Sequence, residues 1–182
     1  MMPLERKLSN RIYLDEVKQL IDYIKQDNTL RDKLFSLLDH ADPLVASQAA
    51  WVLSYWPRKD QAWLVEKQHA LMDKVLDCSH DGKVRLLLSM LCRQPLVEKD
   101  RGDVLDYCME TILAQSRPVA IRSFCIKLAY RFCRDFPELL QELKETLDII
   151  KEDASPGIIS ARKNILQLIH STERKRRGNI GK

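Results

Sequence analysis

Glycine is scarce in this chain: the five glycines of 182 residues stand apart, without the spacing of a phosphate-cradling loop. No apolar run approaches the roughly 20 residues that cross a bilayer. The opening stretch, Met-Met-Pro-Leu-Glu-Arg-Lys-Leu-Ser-Asn, is charged early and has no apolar h-region, so no signal peptide is expected. The five cysteines are odd in number and lack Cys-x-x-Cys spacing, which points to reduced thiols and a cytoplasmic home. No stretch alternates with period two for long enough to make a strand. What remains is a soluble, all-α chain, long enough to bury a substantial core as one domain over residues 1–182.

Charge excess is lacking too, except at one end. Residues 171–182 hold five basic residues (Arg174, Lys175, Arg176, Arg177, Lys182) and one acid, Glu173. Removing these from the totals of 30 basic and 26 acidic residues leaves 25 of each. The net +4 therefore sits in a basic tail, 174–182. A neutral body is a poor phosphate-tracking surface.

Apolar periodicity supplies about nine helices. The most apolar, Asp42 to Trp56, carries Val45, Ala49, Val52 and Trp56 on one face with Leu53 beside them. An apolar surface that wraps most of a helix must be covered on several sides. Other helices are read at 12–26, 30–40 (capped by Asn28 or Thr29), 61–77, 81–94, 101–114, 118–133, 137–150 and 156–170. Pro43, Pro118, Pro137 and Pro156 fall at first turns, where the missing N–H costs nothing. Pro57 and Pro95 fall just past helix ends. Leu53 and Phe124 are expected in the core.

Val45, Val84, Ile121 and Ile158 or Ile159 hold matching places in alternate helices, 37 to 39 residues apart. Ala49, Leu88 and Cys125 follow four residues later, and Arg stands directly after two of them, as Val84-Arg85 and Ile121-Arg122. Proline-opened first helices and second amphipathic helices at this period resemble HEAT repeats. The repeats run over about 12–40, 42–78, 81–115 and 118–153, with a closing helix at 155–173. The resemblance implies a short right-handed α-α superhelix, a HEAT/armadillo-like solenoid. Ser47-Gln48-Ala49-Ala50-Trp51-Val52-Leu53 and Ser160-Ala161-Arg162-Lys163-Asn164-Ile165-Leu166 are together similar to small bacterial helical-repeat proteins. Some of those carry an adenylosuccinate lyase label, but the Gly-Ser-Ser loop of that superfamily is absent from this sequence.

Catalytic constellations do not emerge, so no enzyme activity and no cofactor are expected. Cys78-Ser79-His80, with His40 and His69, lacks the ligand spacing of a zinc site. Trp51, Trp56 and Trp63 cluster around one inter-helix turn, where they serve either core packing or, for Trp56, an anchor over an exposed groove. Charge alternates between helices. Residues 117–134 hold Arg117, Arg122, Lys127, Arg131 and Arg134 and no acid. The second helices carry Asp103, Asp106 and Glu110, then Glu138, Glu142 and Glu145. Opposite signs on neighbouring helices attract and keep the chain soluble. In a HEAT-like stack the second helices line the concave surface, so the resemblance also implies an acidic groove. The expected function is a non-catalytic scaffold that binds a protein or peptide there. The alternative is nucleic-acid binding through the basic first helices and a hook of Arg174, Lys175, Arg176 and Arg177. Neither partner nor oligomeric state follows from the sequence.

Overall fold

Between Asp42 and Arg58 the chain has no charged residue, and a helix fills that interval. It is the fourth of eleven α-helices among the described residues, 4–151 and 154–180, of a computed structural model. The chain divides into two compact units, Met1–Pro95 and Leu96–Lys182. In the first, α1 is Leu4–Leu8, α2 Leu14–Ile24, α3 Asn28–Ser36 and α4 Pro43–Ser54. They are followed by α5 Ala62–Glu66, α6 Gln68–Asp77 and α7 Asp81–Arg93. The second holds α8 Gly102–Leu113, α9 Val119–Cys133, α10 Pro137–Asp148 and α11 Pro156–Ile180. No strand occurs among the described residues.

Eleven helices stand where nine were expected, for two reasons. A single turn, α1, is too short to show a period. The helix expected over 61–77 breaks at Lys67, where no glycine or proline marks the sequence. On one side of the break Trp63 meets Trp56, with ring centroids 5.4 Å apart. On the other, the buried Gln68 donates to the Pro95 carbonyl at 2.8 Å. The cap of α3 is Asp27, which accepts from the Thr29 N–H at 2.8 Å, rather than Asn28 or Thr29.

The first unit is built around α4, which packs against α1, α2, α3 and α7. Val45, Ala49, Ala50, Val52 and Leu53 are all buried, and the two alanines permit close approach. Asp42 starts the helix by accepting from the Leu44 N–H at 2.8 Å, one position before Pro43 would otherwise leave the turn uncapped. Gln48 is the one long polar side chain on the buried surface of α4. Its Oε1 accepts from the Ile12 N–H at 2.8 Å, and its Nε2 donates to the carbonyls of Leu8 and Asn10 at 2.6 and 2.7 Å. It thereby satisfies the main chain that joins α1 to α2, where the bonds to Ile12 and Leu8 are buried and the one to Asn10 partly so.

In the second unit α9 is central, packed by α8, α10 and α11. Ile121, Cys125, Leu128, Ala129 and Phe132 are buried. Phe124 is half-buried, not core as expected, with the ammonium of the exposed Lys127 5.5 Å from its ring centroid. Gly157 lies so close to α9 that a Cβ there would meet the Val119 side chain at 2.9 Å. The closing helix does not stop near residue 173; α11 continues to Ile180. Arginine and lysine are good helix formers, and cations suit a helix C-terminus. Arg176 also donates to the Arg134 carbonyl at 2.6 Å.

The matching β-branched residues Val45, Val84, Ile121 and Ile158 are all buried, and Ile158 rather than the half-buried Ile159 completes the series. Basic side chains on the alternate helices α7, α9 and α11 close the carbonyl ends of earlier helices. Arg122 Nε donates to Ile112 O at 2.9 Å and Arg162 Nε to Leu147 O at 2.7 Å. In the first unit Lys83 bonds to Leu38 O, and Arg93 donates to the carbonyls of Ser54 and Trp56. Each brings a charged donor to carbonyls at a helix end, of which Leu147 O also accepts from the Ile150 N–H at 3.3 Å, and places a cation at the negative end of a helix dipole.

Candidate functional site on the acidic helices

The acidic helices α8 and α10 pack side by side within the second unit. Between them lies a shallow cavity of about 300 Å³. Leu105, Met109 and Leu139 give it an apolar floor, with the buried Cys133 of α9 below. Asp106, Glu110 and Glu142 stand on its rim, all exposed. The placement follows from helix spacing, since 105, 106, 109 and 110 share one side of α8 and 139 and 142 one side of α10. None of the three carboxylates pairs with a cation among the described residues. Burial, and after it the Glu142 carboxylate, push the Cys133 thiol up to about 12. Such a thiol stays protonated and inert at neutral pH.

The other acids predicted for this surface do not line the cavity. Asp103 is taken by Arg101, whose Nε and Nη2 reach its two oxygens at 2.9 and 2.8 Å. That guanidinium, chiefly, holds the Asp103 carboxyl below its ordinary value. Glu145 accepts from Gln141 Nε2 at 2.8 Å, and Glu138 is exposed at the start of α10. Leu105 and Leu139, on the apolar sides of α8 and α10, are half-buried and supply the floor. Met109 was not singled out in the sequence; it stands one turn after Leu105, and that spacing was its signal.

Trp56 is no surface anchor. It is 1% exposed, its Nε1 donates to the Asp60 carbonyl at 3.0 Å, and its ring is packed by Trp63. The residues that open onto solvent at this turn are instead the half-buried Trp51 and the exposed Tyr55. Of the basic hook, Arg174 and Lys175 are exposed on α11, Arg176 is half-buried at Arg134, and the side chain of Arg177 lies outside the described part.

A larger cavity, about 670 Å³, lies in the first unit. Cys78 and His80 line it together with His40, which is distant from them in sequence. The structure nevertheless uses both imidazoles locally. His40 Nδ1 accepts from the Asp42 N–H at 3.0 Å, and His80 Nδ1 from the Lys83 N–H at 3.2 Å. Among the described residues no group of three or more His, Cys, Asp or Glu is arranged to hold a metal ion. Nor is any described helix long and apolar enough to cross a membrane.

Compared with known families, the sequence matches the profile of the HEAT repeat domain over residues 4–169, which takes in both compact units. Comparison with curated proteins and with solved structures returns no match.

Proposed function

The chain belongs to the HEAT repeat domain family, and on that premise we propose that it is a non-catalytic scaffold whose α8/α10 face binds a basic segment of a partner protein. Helical-repeat proteins use the surfaces of successive helices as extended binding sites. The observation that carries the reading is the ring formed by Asp106, Glu110 and Glu142 above Leu105, Met109 and Leu139. A lysine or arginine of the partner lays its aliphatic stem on that floor and its cation among the carboxylates. The exposed acids also speed encounter with a basic segment at low salt.

A labelled amphipathic peptide of lysines and leucines tests this by fluorescence anisotropy. Binding should weaken steeply as salt rises. It should fall at least about tenfold in the triple variant Asp106→Asn, Glu110→Gln, Glu142→Gln, the scale of a desolvated charge contact. Equal binding by wild type and triple variant overturns the reading.

Nucleic-acid binding is the second reading, carried by Arg174 and Lys175, which are exposed and meet no acid among the described residues. It has less support, because two cations at the start of the basic segment are engaged within the unit, although Lys127 on α9 is exposed. Arg117 donates to the Tyr107 hydroxyl at 3.0 Å, and Arg122 caps α8.

A further inference from the structure

Arg85 and Arg122 hold the same place in the repeat, directly after a buried β-branched residue, yet they do different things. Arg122 is half-buried and bonded to Ile112 O. In the first unit the equivalent capping duty falls to Lys83 and Arg93, so Arg85 is released from it. Arg85 is exposed and pairs with no acid among the described residues.

What Arg85 faces is a cleft of about 330 Å³ between α4 and α7, lined by Trp51, Ser54, Tyr55, Arg85, Ser89 and Arg93, with Leu86. Arg85, Ser89 and Arg93 stand one helical turn apart and form a single stripe along α7. Their counterpart on α4 is an apolar stripe that the fold leaves uncovered. Leu44 is 44% exposed and Tyr55 46%, with the half-buried Trp51 between them. Tyr55 stands edge-on to Trp51, with centroids 6.4 Å apart and planes at 81°. An uncharged helix with an open aromatic stripe is the kind of surface that interfaces bury.

Charge on this face is of one sign. No acid occurs from Pro43 to Lys59, nor from Gly82 to Val97, whereas the second stretch holds Lys83, Arg85 and Arg93. Arg93 is moreover held in place by the carbonyls of Ser54 and Trp56, the latter at 3.2 Å. A pinned cation loses little freedom when it takes an additional anion.

We propose that the α4/α7 face is a second docking surface, for an acidic amphipathic segment of a partner protein. Two carboxylates about two helical turns apart meet Arg85 and Arg93, which are separated by about 12 Å along α7. Apolar residues on the same side of that segment cover Trp51, Tyr55 and Leu44. The aromatic pair supplies the buried anchor and the arginines the register. This surface is independent of the acidic cavity on α8 and α10, since no residue is shared and the two lie in separate compact units.

The test uses the full chain and a labelled amphipathic helical peptide with two glutamates about two turns apart and leucine and phenylalanine between them. Anisotropy should report saturable binding, and the emission of Trp51 should shift. A Trp51→Phe variant should lose that shift, because Trp56 is buried and the half-buried Trp63 does not line the cleft. Arg85→Glu, at an exposed position, should keep the circular dichroism of wild type and weaken binding at least about tenfold. The same variant should still bind the lysine-leucine peptide, which separates failure here from failure of the acidic cavity. The proposal is overturned if Arg85→Glu binds as wild type does, or if a peptide with glutamine for glutamate binds equally well. It is also overturned if oligodeoxythymidylate displaces the peptide and binds more tightly, which would make the cleft a base-stacking platform.

Discussion

Arg122 Nε donates to the main-chain oxygen of Ile112 at 2.9 Å, closing the last turn of α8 from the side of α9. One repeat later Arg162 does the same for Leu147 at the end of α10. Arginines in the first halves of α9 and α11, at positions 122 and 162, are thus part of how one helix is fastened to the next.

Arg122→Ala should therefore destabilise the protein by about 1.5–3 kcal/mol, the range for a hydrogen bond with a charged partner. Arg85→Ala, at the equivalent but exposed position, should stay within about 0.5 kcal/mol of wild type. Urea midpoints decide this. Equal losses at both positions would show that the capping contact is not what distinguishes them.

Gln48→Leu keeps the volume and removes three bonds at once. The Ile12 N–H and the carbonyls of Leu8 and Asn10 lose their partner. A loss of about 2–4 kcal/mol is expected from the buried groups left unpaired. Hydrogen exchange at the Ile12 amide should rise before that of Val52 does. Uniform exchange across the first unit would argue against this local role.

Leu53 and Phe124 separate burial from helical phase. Leu53 is 1% exposed, so Leu53→Ala should cost about 2–5 kcal/mol. Phe124 lies on the expected side of α9 but is half-buried, so Phe124→Ala should cost only about 1 kcal/mol, half or less of a full burial. Denaturant midpoints with the two losses reversed would contradict the packing described.

That contrast shows what was legible in the sequence. The positions of Val45, Val84, Ile121 and Ile158 were readable because a period near 38 repeats a local pattern, and proline marks first turns at Pro43, Pro137 and Pro156. Period gives the direction of a side chain, not the depth of what covers it, and Phe124 was misplaced for that reason. The break at Lys67 and the burial of Trp56 come from packing rather than local pattern: Trp63 meets Trp56 on one side of the break, and on the other Gln68 reaches the distant Pro95 carbonyl. At the acidic site the sign of α8 and α10 was readable from composition. Which acids converge was not, because Asp103 is withdrawn by Arg101 and only the packing of α8 on α10 brings Glu142 to Asp106 and Glu110.

Cys133 gives the protein a limit on its alkaline side. Its thiol is pushed up to about 12, chiefly by burial, whereas an unfolded cysteine ionises near 9. The folded chain keeps a proton that the unfolded chain releases. This contribution to stability is whole below pH 9 and is lost as pH rises toward 12. Cys133→Ala should flatten the fall in stability between pH 9 and 11, read by urea midpoints. In wild type at pH 8 a thiol reagent should reach the half-buried Cys78 and Cys92, while Cys108, Cys125 and Cys133 react only in denaturant. Rapid labelling of Cys133 in the folded protein would sink both statements.

The basic end of α11 separates stability from binding. Deleting residues 174–182 removes one described contact to the body, the Arg176 bond to the Arg134 carbonyl at 2.6 Å. That bond is exposed, and none of the deleted residues whose side chains are described, 174–176, belongs to the buried core. The truncated chain should therefore lose about 1 kcal/mol at most, a drop of about 2–4 °C for a domain of this size. Its effect on nucleic acid should be larger. Any low-salt binding of DNA by the full chain should disappear with Arg174 and Lys175, and before truncation should weaken as salt rises, with a slope set by the few phosphates these cations neutralise. The lysine-leucine peptide should bind the truncated chain at least as well as wild type, because the rim of Asp106, Glu110 and Glu142 is intact. Electrophoretic mobility shift and anisotropy on the same preparation decide between the two readings. DNA binding that survives the truncation would be carried by the helical body, and the peptide scaffold would give way to a nucleic-acid-binding protein.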